Sequence, residues 1–402
     1  MNYEFPVINN ISDVLPAIAG RDEFIVAERE GYTVLNYIVN FEDTFPPIKA
    51  TNGSAKMRDE RSLHNALRRE CRGIIFCSKT GDILRRPYHK FFNVNERDET
   101  QAHNIDLSRG HAILEKLDGS MIAPYKVGDR IIWGTKMGDT DVAKPVQEFV
   151  DNNLRYNVFA KRWIEEGFTP IFEWCSRKQR IVLDHPKDQL ILTAIRSRKY
   201  GIYIEYKSLK SWERIFNIPV VRAFDSQTDM NAFIDYTRGL EDTEGFVVRF
   251  DDGHMSKLKS DWYVQIHKAK DSLLHDRNIV DMWMQNTIDD VKAHLSEDER
   301  VRLDEFTASL ESWLNARVKM IYNTRNATRK MERKDFAMGH ATKFDQYTKS
   351  LVFRVWDDEI DEALLVKLHK MVFDLVKSKL SSNKAYGELR EAWFAGVKYN
   401  EY

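Results

Sequence analysis

Lys116 lies at the end of an apolar run, in Glu115-Lys116-Leu117-Asp118-Gly119-Ser120, where a strand gives way to an Asp-Gly turn. Such a turn holds a lysine rigidly at the lip of a sheet, from which its amine can attack an electrophilic phosphate. With a reference pKa of about 10.4, a free lysine needs nearby cations or desolvation to become neutral near pH 7. His254-Met255-Ser256-Lys257-Leu258-Lys259 supplies such cations, because Lys257 and Lys259 lie two apart on an expected strand and project from one face. Two carboxylates sit among apolar neighbours: Glu173 in Ile171-Phe172-Glu173-Trp174, and Glu244 at the head of Glu244-Gly245-Phe246-Val247-Val248. A carboxylate so placed is costly unless it is paired or binds a cation. Magnesium, which takes carboxylate and phosphate oxygens, is the expected partner, and an ion pair with an internal Arg or Lys is the alternative. Lys-x-Asp-Gly also arises by chance, and Lys-x-Lys also reads as a solvated strand face, so these pieces carry weight only together. The sequence contains no phosphate loop ending in Gly-Lys-Ser/Thr, no dinucleotide fingerprint, no His-Glu-x-x-His and no Gly-x-Ser-x-Gly.

The elements that must position these residues are short. Strands are predicted at 73–76, 113–116, 130–133, 170–174, 190–195, 245–250 and 255–259, and turns at Asp118-Gly119, Gly128-Asp129 and Asp252-Gly253 favour antiparallel hairpins. Val146, Phe149, Val150, Leu154, Phe159 and Trp163 predict one helix between Pro145 and Gly167. From about Asp261 to the end there is no proline, and apolar residues recur at three and four, as in Leu364, Leu368, Met371, Val372 and Leu375. The expected fold is therefore α+β: an N-terminal domain of antiparallel sheets over residues 1–262, then an all-α domain over 263–402.

A chain of 402 residues, 43% of them hydrophobic, can bury two or three cores, and its 12% aromatic content with few Pro and Gly excludes disordered and fibrous classes. A net charge of -1 rules out a uniformly basic surface, so any basic patch must be local. Cys71, Cys77 and Cys175 are too few and too irregular for a disulfide framework or a zinc site, which places the chain in a reducing cytoplasm. Glu4 and Asp13 near the start, and the lack of any run of about 18 uncharged residues, predict neither secretion nor a membrane partner.

Taken in order, Lys-x-Asp-Gly, Phe-Glu-Trp, Glu-Gly-Phe-Val-Val and Lys-Leu-Lys resemble the motif set of the covalent nucleotidyltransferases, the ATP-dependent DNA and RNA ligases and RNA capping enzymes. Glu70-Cys71-Arg72-Gly73-Ile74-Ile75-Phe76, Pro87-Tyr88-His89-Lys90-Phe91-Phe92-Asn93 and Lys257-Leu258-Lys259-Ser260-Asp261-Trp262-Tyr263 are more specifically similar to the first RNA ligase of T-even bacteriophages and its relatives. The resemblance implies a nucleotidyltransferase domain in which Lys116 attacks the α-phosphate of ATP and carries AMP. The AMP then passes to a 5′-phosphate of RNA, and a 3′-hydroxyl closes the strand. It further implies that Lys257 and Lys259 stabilise charge on the α-phosphate, and that Glu173 and Glu244 act around ribose and Mg2+. Asp118 and Gly119 complete the lysine turn, with Asp118 contacting the nucleotide beside Glu115. Arg72, Lys90 and Lys136 match positions that contact nucleotide or phosphates. Tyr263 matches a family aromatic; core packing is its other reading, a surface ion-pair cluster that of Arg72, and a hairpin cap that of Lys136.

DNA ligases and capping enzymes usually place a β-barrel after the lysine pair, whereas a helical region follows here. Between Arg317 and Arg354, ten basic residues face Glu332, Asp335 and Asp345, with Tyr322, Phe344 and Tyr347 interleaved. That pattern suits a folded RNA surface, and a solvated helix face is the alternative. By resemblance the RNA is a nicked tRNA with a broken anticodon loop, and the enzyme is expected to act as a monomer, in the host cytoplasm if phage-encoded. The rival readings are a DNA ligase or capping enzyme, and a noncatalytic RNA-binding relative.

Overall fold

In the first two-thirds of the chain, runs of β-branched and aromatic residues broken by Gly and Asp build sheets from strands that pair mostly antiparallel. The computed structural model describes residues 4–41, 43–48, 60–394, 396–397 and 399. It divides into two compact units, Met1–Val264 and Gln265–Tyr402. Thirteen strands lie among the described residues: β1 Phe24–Arg29, β2 Tyr32–Tyr37, β3 Arg72–Cys77, β4 Ile83–Arg85, β5 Phe92–Asn93, β6 His111–Glu115, β7 Ser120–Val127, β8 Arg130–Gly134, β9 Phe168–Cys175, β10 Gln189–Ser197, β11 Ala223–Phe224, β12 Gly245–Phe250 and β13 Met255–Lys259. They form three sheets, ordered β1-β2-β3-β4, β10-β9-β7-β8 and β11-β6-β12-β13-β5. All pairings are antiparallel except that of β13 with β5. The unit is α+β with antiparallel sheets, as expected.

Two of the three anticipated hairpins form, since Val127 pairs with Arg130 across Gly128-Asp129 and Arg249 with Met255 across Asp252-Gly253. Asp118-Gly119 does not make a hairpin. The strand before it, β6, pairs with β12, and the strand after it, β7, pairs with β9, so residues 116–119 carry the chain from one sheet into another. Long-range partners took both strands, which a local turn signal cannot register. The single helix expected after Pro145 is two, Lys144–Asp151 and Arg155–Glu165. Between them Asn152 and Asn153 send side-chain amides back to Glu148 O and Phe149 O, offering the backbone an alternative to continued helix. Val146, Val150, Phe159 and Trp163 still pack with Phe172 and Leu192 in one core.

The second unit is helical throughout. Leu303, Phe306, Leu310, Leu314, Val318 and Ile321 recur along the buried side of helix Glu297–Ala327, which packs on Glu362–Lys379 through Leu364, Leu368, Val372 and Val376. The basic stretch is thinner than its count implies. Arg325 is buried, donates to the carbonyls of Val355 and Trp356 and covers the Trp356 ring, and Arg317 faces Asp345 at 3.7 Å. Tyr322, Phe344 and Tyr347 pack into or against the helical core, so the aromatic half of the expected RNA surface belongs to packing. Lys319, Arg329, Lys330, Arg333, Lys334, Lys343, Lys349 and Arg354 are exposed. No described helix is long and apolar enough to cross a membrane.

The first unit contains a fully buried ion triad. Glu70 accepts from Arg86 Nε at 3.0 Å and from Arg196 Nη1 and Nη2 at 2.8 Å each. Burial opposes the charge, but the two guanidiniums outweigh it and hold the Glu70 carboxyl down at about 2. Since the folded value lies below the ordinary 4.5, the triad's stabilisation is present above that pH and is lost as pH falls towards 2. Glu70→Gln is expected to destabilise the protein by about 3–5 kcal/mol, because it strands two buried cations. Chemical denaturation at pH 7, and a flattened acid limb between pH 5 and 2 in the variant, check this.

Candidate active site

Strand alternation puts Lys257 and Lys259 on one face of β13, opposite Val247 and Gly245 of β12. The parallel partner of β13 is β5, so Lys257 pairs with Asn93 and its carbonyl accepts from Val94 N at 2.9 Å. That pairing sets the Tyr88–Phe91 segment beside the lysines, with Lys257 Nζ 5.4 Å from the centre of the Phe91 ring. Next to β12, the β6 ladder continues to Lys116, whose N–H donates to Gly245 O at 2.9 Å. The chain then passes Gly119 against β9 so closely that a Cβ there would stand 2.5 Å from Trp174 O, and only glycine fits.

These elements enclose a cavity of about 610 Å³. Nine of the eleven residues singled out from the sequence line it: Arg72, Lys90, Glu115, Lys116, Gly119, Lys136, Glu173, Lys257 and Lys259. Glu244 lies buried behind the lysines, its Oε1 2.5 Å from Lys116 Nζ and 3.0 Å from Lys259 Nζ. Asp118 does not face the cavity as expected of a nucleotide contact. It is buried, and its carboxylate accepts from Val182 N at 2.7 Å, Leu183 N at 2.6 Å and Tyr263 Oη at 2.6 Å. Asp118 therefore anchors the segment that presents Lys116, and Tyr263 secures it while packing under Lys259, whose Nζ is 4.9 Å from its ring centre. Arg72 takes no part in a surface ion-pair cluster with Glu70, whose partners are Arg86 and Arg196.

The walls are strongly cationic. Burial, reinforced by Lys90, Lys116 and Arg72, brings the Lys257 amine down to about 7. Burial also lowers Lys90, whose Nζ sits over Tyr37, Phe45 and Phe92. In the other direction, burial pushes Glu173 up to about 8 against the pull of Lys116, with Glu244 adding like-charge repulsion. Glu115 is raised by burial as well. A Glu173 whose proton burial retains, beside a Lys257 whose charge burial weakens, describes a cavity built for a polyanion and its counter-ion.

No cluster of three or more His, Cys, Asp or Glu side chains able to hold a metal is found among the described residues. Glu173 and Glu115 are the carboxylic residues lining the cavity, and Glu173 feels the charge of Lys116, which fits a cation that keeps waters and binds chiefly through substrate phosphates. Glu244 has its oxygen engaged by two ammonium groups.

Sequence reasoning missed Tyr37, Tyr88 and Arg249 on the cavity wall. Burial of Tyr37 is outweighed by Arg72, Lys90 and Lys136, which lower its hydroxyl pKa. Tyr88 lies inside a motif that was read, while Tyr37 and Arg249 carry no local signal.

Comparison with known proteins places this site in a family. Residues 70–269 match the family described as RNA ligase, and residues 270–379 match the family described as T4 RNA ligase 1, C-terminal domain. The chain belongs to this RNA ligase family, a family of enzymes. A Thermovibrio ammonificans protein described as an RNA ligase is 29% identical over 357 residues, spanning 84% of this chain and 90% of the relative. RNA ligase 1 of bacteriophage TS2126 is 24% identical over 210 residues, covering 48% of this chain and 50% of that one, so the chain spans half of the phage relative. Among solved structures, an archaeal ATP-dependent RNA ligase aligns with a TM-score of 0.45 at 14% identity, over 77% of this chain and 78% of that one. A Naegleria gruberi RNA ligase variant solved with ATP and Mn aligns with a TM-score of 0.36 at 16% identity, over 44% and 57%.

Proposed function

We propose that the protein is an ATP-dependent RNA ligase that joins 5′-phosphate and 3′-hydroxyl ends through enzyme-lysyl-AMP and RNA-adenylate intermediates. The observation that carries the reading is the convergence of Lys116, Lys257, Lys259 and Glu173 on one cavity. Lys116 Nζ gives up a proton, for which Glu244 Oε1 is the acceptor in reach, and attacks the α-phosphorus of ATP; the bond to the bridging oxygen breaks, pyrophosphate leaves, and the nitrogen sheds a second proton to solvent. Lys257 and Lys259 meet the negative charge that develops on the α-phosphate oxygens. Arg72, Lys90 and Lys136 hold the remaining phosphates, and Glu115 lies beside the nucleotide. Glu173 would hold a divalent ion, Mg2+ in our reading, which when bound neutralises phosphate charge and eases departure of pyrophosphate. Glu244 positions Lys116 and Lys259 through Oε1, and would join Glu173 in holding the metal through its other oxygen. AMP then moves to the RNA 5′-phosphate, and the 3′-hydroxyl displaces it.

We assign adenylyl transfer to residues 1–262 and RNA choice to residues 263–402. The substrate in this reading is a nicked tRNA, handled by a monomer in the cytoplasm, of an infected host if the chain is phage-encoded. The free thiols of all three cysteines support a reducing setting. Incubation with labelled ATP or GTP and Mg2+, followed by nicked tRNA, a linear single strand and a nicked DNA duplex in parallel, tests the whole. A labelled protein with ATP alone, and sealing of RNA, are expected. Labelling by GTP would point to a capping enzyme, sealing only of DNA to a DNA ligase, and no adduct to a noncatalytic relative.

Reversing the exposed charges Arg329→Glu, Lys330→Glu and Arg333→Glu is expected to leave the AMP adduct unchanged and weaken nicked-tRNA sealing. Each lost phosphate contact should lower the salt slope of tRNA binding by about 1. Equal tRNA affinity and slope in the triple variant would mark the stretch as a solvated surface.

A further inference from the structure

Arg85 closes β4 and is completely buried, yet no carboxylate among the described residues faces its guanidinium. All five of its N–H groups donate to main-chain carbonyls. Nε and Nη2 reach Gly73 O at 3.2 and 2.9 Å, Nη1 reaches Ala123 O and Gly134 O at 3.1 Å each, and Nη2 also reaches Thr135 O at 2.8 Å. The Tyr125 ring lies under it at 5.0 Å. Burial without a counter-charge lowers its pKa to about 10, so the cation is held at a cost that the carbonyl dipoles must offset.

The carbonyls it gathers adjoin two cavity cations. Gly73 follows Arg72, and Thr135 precedes Lys136. Gly73 is the extra residue of a bulge: Leu35 pairs with Ile74 and Asn36 with Arg72, leaving Gly73 unpaired at a φ of +83°. A bulge reverses which face the next side chain takes, and this one lets Arg72 line the cavity. The Lys136 backbone packs against the same spot, since a Cβ on Gly73 would lie 2.4 Å from Lys136 O. Gly73 O sits at the bulge, Gly134 O closes β8, and Thr135 O already accepts from Gly138 N at 2.9 Å, so Arg85 joins carbonyls of two separate backbone irregularities.

We propose that Arg85 is a positioning residue for ATP binding, clamping the Gly73 bulge to the Thr135–Gly138 turn so that Arg72 and Lys136 meet the nucleotide's phosphates together. This rests on the phosphate-binding role given to those two residues above. Lysine in its place has three donors on a flexible stem and cannot bridge four carbonyls in one plane.

The test measures self-adenylation kinetics, sealing of pre-adenylated RNA and thermal melting for Arg85→Lys, Lys136→Ala, Arg72→Ala and the Arg85→Lys, Lys136→Ala double variant, with Arg85→Met as the uncharged control. Arg85→Lys is expected to raise KM for ATP about tenfold with kcat nearly unchanged, as lost ground-state binding does. Sealing of pre-adenylated RNA should be close to wild type. The double variant should be worse than Lys136→Ala by clearly less than the full tenfold, because part of the Arg85 effect runs through Lys136 and the rest through Arg72. Independent, multiplying effects of Arg85→Lys and Lys136→Ala would overturn the proposal. So would a lowered melting temperature in Arg85→Lys or Arg85→Met with wild-type KM. If Lys136→Ala and Arg72→Ala themselves leave KM unchanged, the fault lies in their assigned role, and the clamp falls with it.

Discussion

Lys116→Ala is expected to form no AMP adduct with labelled ATP, while still sealing RNA supplied with a 5′-adenylate. The two outcomes separate because only the first step uses the lysine as nucleophile; in the last, the 3′-hydroxyl attacks and AMP leaves. In the free protein the amine is held 2.5 Å from Glu244 Oε1, so it is aimed and charge-paired before ATP arrives. Loss of the amine removes the bond-forming atom; Lys259, whose Nζ shares Glu244 Oε1 with Lys116, is the nearest amine and is assigned to the phosphate oxygens. Gel detection of the adduct and mapping of the labelled peptide check the assignment. An adduct on any other residue of the wild type would overturn it.

Lys257→Ala and Lys259→Ala should each slow self-adenylation by about 10² to 10³, the usual loss when a group stabilising transition-state charge is removed. Wild-type rates in either variant would return that lysine to the solvated strand face. Lys257 has a second consequence. Its folded value of about 7 lies below the ordinary 10.5, so in the free protein it disfavours folding wherever the unfolded chain holds the proton more tightly. That penalty is full below pH 7 and fades as pH rises towards 10.5. Lys257→Met is therefore expected to raise the melting temperature of the ATP-free protein at pH 7, an advantage that shrinks at pH 9. Binding of ATP should draw a proton onto Lys257 near neutral pH, visible as a buffer-dependent heat in calorimetry. A binding heat that is the same in buffers of different ionisation enthalpy would contradict this.

What the sequence by itself determined is what depends on local period and residue type. Alternation along a strand puts Lys257 and Lys259 on the same face whatever surrounds them, and glycines at Gly128 and Gly253 close hairpins between neighbours in the chain. The change from sheets to helices after Asp261 follows from the spacing of apolar residues, which is also local. Tertiary structure decided the rest, because pairing partners and buried polar contacts come from residues far apart in the chain. Residues 116–119 cross between sheets where a hairpin was expected, because β6 pairs with β12 and β7 with β9, partners far away in the chain. Asp118 faces inward because the amides of Val182 and Leu183, more than sixty residues on, need an acceptor. Arg72 enters the cavity through a bulge whose carbonyl depends on Arg85, and Tyr322, Phe344 and Tyr347 turned to the core because aromatic area stabilises more when buried than on a wet helix face. Side-chain type announced which groups could do chemistry; only the assembled strands decided which of them share a wall and which hold that wall in place.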